Sequence, residues 1–479
     1  MIFRIRQLVW IVFLIQCTAP YIYSQQARPT RVACVGASIT YGSLLNNPAT
    51  ESYPGQLQGA LGGGYEVRNY GVPGSTLIKK GDRPYHMTPE YQRALAGNPN
   101  IVIIDLGGND SKLINRIYLD GYEADFREMI AAFKKLPSRP RIILLLPVPS
   151  FVTDTTGIWD PVIVQEVIPR VRNVAFVEKV EVIDMHSILS DKPQLFPDKI
   201  HPNLEGTTLM ARKLQSVILQ ERDVDFNLPS RIDIAGEVKS FYGYDSHEFV
   251  WQGRDCKIVR PKAANRQHRW IWRARFWGHE PQTDVALLEL GFHVVYCDVA
   301  ELFGNPEAIA RWDAFYDMVT RGGLHAKAAF EGMSRGAVYV YNWAAENPER
   351  VACVYVDNPL LDLMWWPARQ LKSGDGNKTE WEIFKKDYHF SNDADALKSR
   401  VSPIDKIPQI VKGRYPMLHV CGDADEDVPL SLNTTPFVDK VRQLHGNITV
   451  IVKPGFKHHP HSLPDPTPIV NFILASCPQ

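Results

Sequence analysis

Short apolar runs that stop abruptly at small or polar residues recur along this chain, with helix-spaced stretches between them. That alternation restricts the fold to parallel sheets covered on both faces by helices. The first such run is Val32 to Val35, halted by Gly36, Ala37 and Ser38. Ser38 is therefore expected at a strand's carboxyl end, the edge of an open α/β sheet where ligands bind, which makes it a candidate nucleophile. Taken alone, a serine after a glycine is also ordinary turn chemistry.

At 479 residues the chain is expected to hold two or three domains. Lys plus Arg and Asp plus Glu number 53 each, so net charge gives no argument for nucleic acid or an anionic membrane as a partner. Arg4 and Arg6, the apolar run Leu8 to Ile15, and Tyr23-Ser24 are laid out as a secretory signal over residues 1–24. The run is too short to span a bilayer. Location is then secreted or periplasmic, with lipidation at Cys17 as an alternative that Gln16 disfavours. Six cysteines follow the signal. Cys34, Cys297, Cys353 and Cys421 lie in strand-like runs and read as buried thiols, Cys256 and Cys477 are less defined, and no spacing among them matches a metal site.

In the first half, a helix is expected over Tyr53 to Leu61 and strands over Tyr65 to Tyr70, Ile101 to Leu106, Arg141 to Leu146 and Val180 to Met185. Helices are expected over Tyr122 to Leu136, Pro161 to Lys179 and Leu204 to Arg222. Three polar blocks lie among these elements: Val72-Pro73-Gly74-Ser75, Gly107-Gly108-Asn109-Asp110, and Asp198-Lys199-Ile200-His201. Together with Gly36-Ala37-Ser38-Ile39-Thr40, they occur in the order and approximate separation of the four blocks of the SGNH (GDSL-like) hydrolases, which residues 27–222 resemble. The resemblance implies a three-layer parallel-sheet domain with Ser38 as nucleophile, His201 as base, Asp198 orienting the base, and an oxyanion hole from Gly74, Asn109 and the Ser38 N–H. The chemistry is consistent with those roles, since a hydroxyl needs a base of near-neutral pKa beside it, and imidazole at roughly 6.5 serves best. The family often has Asp before the serine where this chain has Ala37. Asp110 reads as structural.

Residues 223–244 are polar and irregular and are expected to be a linker. A second alternation follows: a hairpin across Gly253-Arg254-Asp255, strands over Trp270 to Phe276 and Phe292 to Val299, helices over Thr283 to Leu290 and Pro306 to Thr320, and a short strand over Ala326 to Phe330. That strand leads into Gly332-Met333-Ser334-Arg335-Gly336 and a helical run to Glu346, the strand, sharp turn and helix that a Gly-x-Ser-x-Gly elbow requires. Further strands over Val351 to Val356, Pro416 to Cys421 and Asn447 to Val452 are followed in turn by an acidic run around Asp425 and by His458, His459 and His461. Residues 245–479 thus resemble the α/β-hydrolase fold. The resemblance implies Ser334 as nucleophile, Asp425 as acid because it stands three residues before Val428-Pro429, His458 as base with His459 and His461 as alternatives, and oxyanion donors at Arg335 and near Gly278.

Residues 360–408 are too long for a plain loop and are expected to form a lid over the second site. Nine of eleven tryptophans fall in the second half, including Trp277, Trp365, Trp366 and Trp381. They suit stacking on sugar rings or an aromatic acyl group, or equally the packing of a core. The expected protein is a secreted bifunctional serine esterase that uses no cofactor or metal and removes O-acetyl, aromatic or methyl esters from an acylated carbohydrate. The alternatives are a lipid or lysophospholipid acyl-hydrolase, or one esterase domain joined to a carbohydrate-binding or peptidase-like domain.

Overall fold

The computed structural model describes residues 28–371 and 378–477. The expected signal at residues 1–24, Cys17 included, lies outside the described residues. Among those described, no helix is long and apolar enough to cross a membrane.

The first domain is built on five parallel strands, β1 (Thr30–Gly36), β2 (Tyr65–Gly71), β3 (Ile101–Asp105), β4 (Arg141–Leu146) and β5 (Glu181–Asp184), in the order β2-β1-β3-β4-β5. Successive side chains of a strand point to opposite faces, and both faces are apolar here. Val32, Cys34, Ile103, Ile143 and Leu145 pack on one side with Leu57, Met210 and Leu214 from the helices Tyr53–Leu61 and Leu204–Leu219. Ala33, Val35, Val102, Ile104 and Leu144 pack on the other with Phe126, Ile130 and Val171. Three layers result. The helix expected over Pro161 to Lys179 is interrupted, because a π-helical turn at Ile163–Val167 separates Asp160–Val162 from Ile168–Glu178. The last helix ends at Leu219, and β6 (Arg222–Asp223) then pairs with the second half.

The stretch expected to be an irregular linker carries structure. It contains a helical turn at Leu228–Arg231 and then β7 (Glu237–Phe241), which pairs antiparallel with β8 (Tyr244–Trp251). Tyr242 and Gly243 both have positive φ, 52° and 97°, as a two-residue hairpin of the type I′ family requires. The second sheet continues through β9 (Arg254–Arg260), β11 (Trp270–Ala274), β12 (His293–Cys297), β13 (Ala328–Met333), β14 (Val351–Asp357), β15 (Met417–Gly422) and β16 (Ile448–Lys453), while the short β10 (Ala264–Asn265) clips β6. The order is β16-β15-β14-β13-β11-β12-β9-β8-β7, parallel from β16 to β12 and antiparallel beyond. This is a mixed α/β sheet of the α/β-hydrolase kind. Strand β11 stops at Ala274, two residues before the expected end, because Arg275 and Phe276 take positive φ and turn the chain away.

Trp270, Trp272, Trp312, Trp343 and Trp381 are fully buried, and Trp272 stacks on Trp312 with ring centroids 4.5 Å apart. Packing therefore accounts for these five. All six described cysteines are buried free thiols, Cys256 and Cys477 included. Residues 360–408 contain helices at Thr379–Asp387 and Asp393–Lys398 and share a small core of Leu363, Trp381, Phe384 and Phe303. The two domains pack together. Tyr244 donates to the Val182 carbonyl at 3.0 Å, and the Glu289 carboxylate, on the helix Gln282–Glu289, accepts the Asp184 N–H at 2.6 Å and meets Lys213 Nζ at 2.8 Å.

Candidate active sites

Ser38 follows the carboxyl end of β1 and opens a short helical turn, Ser38–Tyr41. The turn is close-packed: a Cβ on Gly36 would stand 2.8 Å from the Asp105 carbonyl, and one on Gly71 would stand 2.2 Å from the Tyr41 nitrogen. His201 Nε2 lies 2.8 Å from Ser38 Oγ, and His201 Nδ1 lies 2.6 Å from Asp198 Oδ2. The other Asp198 oxygen accepts the backbone N–H groups of Ile200 at 3.0 Å and His201 at 2.7 Å. Partial burial would raise the carboxyl's pKa, but the hydrogen bonds from His201 and Ile200 outweigh it and hold Asp198 below its usual range. Asp198, His201 and the loop that carries them are thus one local hydrogen-bonded unit.

Gly74 has φ +81°, and a Cβ there would meet nothing nearer than 3.7 Å, so glycine is needed for backbone conformation and not for space. Asn109 Nδ2 donates to the Ser75 carbonyl at 3.1 Å, which ties the Gly74-Ser75 turn to the end of β3. Asp110 accepts the N–H groups of Leu77 and Ile78 at 3.0 and 2.8 Å and so braces the same turn from below. Its burial pushes the carboxyl up to about 6 against those hydrogen bonds. A small cleft beside Ser38 is lined by Ile39, Asn109, Val148, Ser150 and Ile200, and a groove of about 240 Å³ on the far side of His201 is lined by Leu44, Leu45 and Leu204.

In the second domain Ser334 sits at the turn between β13 and the helix Gly336–Glu346 with φ +49°, a conformation that L residues other than Asn and Asp seldom take. The flanking glycines are sterically required. A Cβ on Gly336 would lie 2.6 Å from the Ala274 carbonyl, and one on Gly332 would lie 2.9 Å from the Gly336 backbone. His458 Nε2 is 3.1 Å from Ser334 Oγ, and its Nδ1 is 2.7 Å from Asp425 Oδ2. Asp425 Oδ1 accepts the N–H groups of Asp427 and Val428, each at 2.9 Å. Burial opposes ionisation of Asp425, but the bonds from His458 and Val428 prevail and hold it below the usual carboxylate range. Of the three clustered imidazoles, His458 is the one hydrogen-bonded to Ser334. His461 Nδ1 instead meets Asp357 Oδ1 at 2.9 Å.

Gly278 has φ +74° with open space around its Cα, and Arg335 follows the serine with its guanidinium 3.1 Å from Glu380 and over the Trp366 ring. The segment 360–408 therefore reaches the elbow through Glu380 and Trp366. Residues that pattern reading did not single out hold the second site in place. Asn358 donates to the His458 carbonyl at 2.7 Å and accepts the Gly422 N–H at 2.7 Å, which joins the His458 loop to the ends of β14 and β15. Asp357, wholly buried, collects His461, Lys453 and the Ser462 N–H. The buried Arg273 donates to the Phe276 carbonyl at 3.2 Å and to the His279 carbonyl, and it pairs with Asp284. No spacing in the sequence marks these groups, because each acts across elements that only the fold brings together.

Each arrangement is a hydroxyl on an imidazole whose far nitrogen meets a carboxylate, which is what acyl transfer through a serine requires. Residues 34–209 match the GDSL-like Lipase/Acylhydrolase family, and the chain thus contains a GDSL-like hydrolase domain. An acetylxylan esterase of Xylanibacter ruminicola is 38% identical in an alignment 206 positions long that covers 39% of this chain and 43% of that protein. The chain thus matches less than half the length of this relative. Among solved structures, a carbohydrate acetylesterase family member from Sinorhizobium meliloti is 20% identical, with a TM-score of 0.34, over 40% of this chain and 97% of that one. Dipeptidyl peptidase 4 of Porphyromonas gingivalis is 14% identical, with a TM-score of 0.36, over 49% of this chain and 35% of that one.

Proposed function

We propose that the protein is a bifunctional serine esterase that removes O-acetyl groups from an acylated polysaccharide or oligosaccharide, one ester class at each site. The hydrogen-bonded chain Ser38, His201, Asp198 carries the reading, with support from the GDSL-like family match and the acetylxylan esterase relative. In the first domain Ser38 Oγ attacks the acetyl carbon as His201 Nε2 takes its proton, and Asp198 holds the ring and balances the imidazolium. The backbone N–H groups of Ser38 and Gly74 and the free N–H of the Asn109 amide receive the developing oxyanion. His201 then returns its proton to the departing sugar hydroxyl and activates the water that cleaves the acetyl-serine.

In the second domain the same roles fall to Ser334, His458 and Asp425, with the Arg335 N–H and a donor at Gly278 for the oxyanion. This site takes an acetyl, aromatic or methyl ester of the same glycan. The signal expected over residues 1–24 would put both reactions outside the cytoplasm, where acylated cell-wall polymers are met. The test is acetate release from acetylated xylo-oligosaccharides and hydrolysis of aryl esters by Ser38→Ala, Ser334→Ala and the double variant. Loss of a nucleophile is expected to cost on the order of 10⁴- to 10⁶-fold in kcat on that site's own substrate. Acetate release that survives Ser38→Ala at the parent rate would remove the assignment of the first site, and a marked preference for long-chain acyl esters would replace glycan with lipid.

A further inference from the structure

Beside the second serine stand three imidazoles that the acyl-transfer chemistry does not use. One nitrogen from each of His279, His459 and His461 lies within 4.8 Å of the other two. His279 follows the Gly278 turn after β11, whereas His459 and His461 flank Pro460 in the loop after β16. The backbone under each is pinned by a buried charge. Arg273 donates to the His279 carbonyl, and Lys453 Nζ donates to the carbonyls of Pro460 at 2.8 Å and Ser462 at 3.3 Å. His461 is 3% exposed, and its Nδ1 is held by the wholly buried Asp357 at 2.9 Å, which leaves Nε2 with its lone pair for another partner. A carboxylate that fixes the tautomer and orientation of an imidazole from behind is the usual outer support of a metal-ligating histidine.

We infer that His279, His459 and His461 form a binding site for a divalent transition-metal ion of the zinc kind, and that the ion joins the Gly278 loop to the loop carrying His458. Three neutral imidazoles with one position left for water suit Zn²⁺ and disfavour Mg²⁺ and Ca²⁺, which take oxygen ligands. With metal–nitrogen bonds of about 2.0–2.1 Å, tetrahedral geometry puts ligating nitrogens ~3.4 Å apart. The imidazoles therefore close by up to about 1.4 Å on binding, a movement that side-chain rotation of the exposed His279 and His459 supplies. Glu280, next to His279, adds negative charge at the rim and is hydrogen-bonded to Gln282 at 3.1 Å.

The experiment is calorimetric titration of the full, tag-free chain with ZnCl₂ after treatment with a chelator and dialysis, run beside His279→Ala, His459→Ala and Asp427→Asn. The third variant probes Asp425, Asp427 and His458, whose ligand atoms also lie within 4.8 Å of one another. One equivalent of Zn²⁺ is expected to bind the parent and Asp427→Asn, to bind at least tenfold more weakly in each histidine variant, and to raise the parent's Tm, with no heat from Mg²⁺ or Ca²⁺. Circular dichroism of the metal-free variants confirms that they are folded. No Zn²⁺ uptake by the parent overturns the inference. So does uptake of equal affinity in both histidine variants, or uptake lost only in Asp427→Asn.

Discussion

Ser38 and Ser334 meet the same chemical demand from opposite backbones. Ser38 starts a right-handed helical turn, and the Asp198 and His201 it meets are three residues apart on one loop, cross-linked by the loop's own N–H groups. Ser334 is held at φ +49° between glycines that admit no Cβ, and Asp425 and His458 come from loops after two different strands. In the first, the Asp198–His201 pair is local, and Ser38 reaches it from the end of β1. The second depends on buried polar groups, Asp357, Asn358 and Arg273, that hold separate loops in register. A site of the second kind ties its geometry to the stability of its domain, whereas one of the first kind can tolerate changes elsewhere in the sheet.

The largest expected effect tests what the two sites share. Asp198→Asn and Asp425→Asn should each lower kcat on the corresponding substrate by about 10³- to 10⁴-fold, because an amide favours the wrong imidazole tautomer and does not balance the imidazolium. Both variants should keep their fold, since Asn retains an acceptor for the backbone N–H groups that the carboxylates now hold. Steady-state kinetics on acetyl and aryl esters reads this, and a loss below tenfold in either variant would take that carboxylate out of the reacting set. A smaller effect should separate the sites. Asp357→Asn removes the charge that meets Lys453 and His461 in a dry environment, and breaking a buried ion pair costs about 3–5 kcal/mol. Denaturant unfolding should show that loss, with Ser334-dependent hydrolysis falling and Ser38-dependent hydrolysis unchanged under native conditions. Equal loss at both sites would erase the distinction between local and scaffolded geometry.

The sequence made the strands legible where burial on both faces leaves an unbroken apolar run, as in Ile101–Asp105 and Arg141–Leu146, and it made the serines legible because glycines crowd a turn that must be sharp. It hid β7 for a physical reason: four of its five residues are exposed, and only Phe241 is buried, so its register comes from the Tyr242-Gly243 hairpin and not from a hydrophobic pattern. It put His458 first among three neighbouring histidines but left His459 and His461 open, because nothing local shows which imidazole reaches Ser334. The choice is made by Asp357 at the end of β14, which takes His461, and by Asn358, which fixes the carbonyl of His458. The tryptophans of residues 360–408 were ambiguous for a similar reason: Trp381 is core, whereas Trp366 meets Arg335 at the elbow, and the two residue environments differ only in tertiary contacts.

The contact between the domains carries the mildest prediction. Glu289 is buried against the first domain, where it meets Lys213 and the Asp184 N–H, and burial outweighs both partners, pushing its pKa from an ordinary 4.5 up to about 7. The folded chain then binds more protons than the unfolded one between about pH 4.5 and 7. The stability this group contributes is therefore present in full below that window and is lost as pH rises through 7, by up to about 3 kcal/mol at roughly 1.36 kcal/mol per pKa unit. Glu289→Gln keeps an acceptor for the Asp184 N–H and cannot ionise, so unfolding followed from pH 5 to 8 should fall less steeply with pH in the variant than in the parent. Matching slopes would mean that Lys213 keeps Glu289 ionised throughout, and the interface would then behave like the charged network beneath Ser334 instead of a proton-sensitive joint between two otherwise differently built halves.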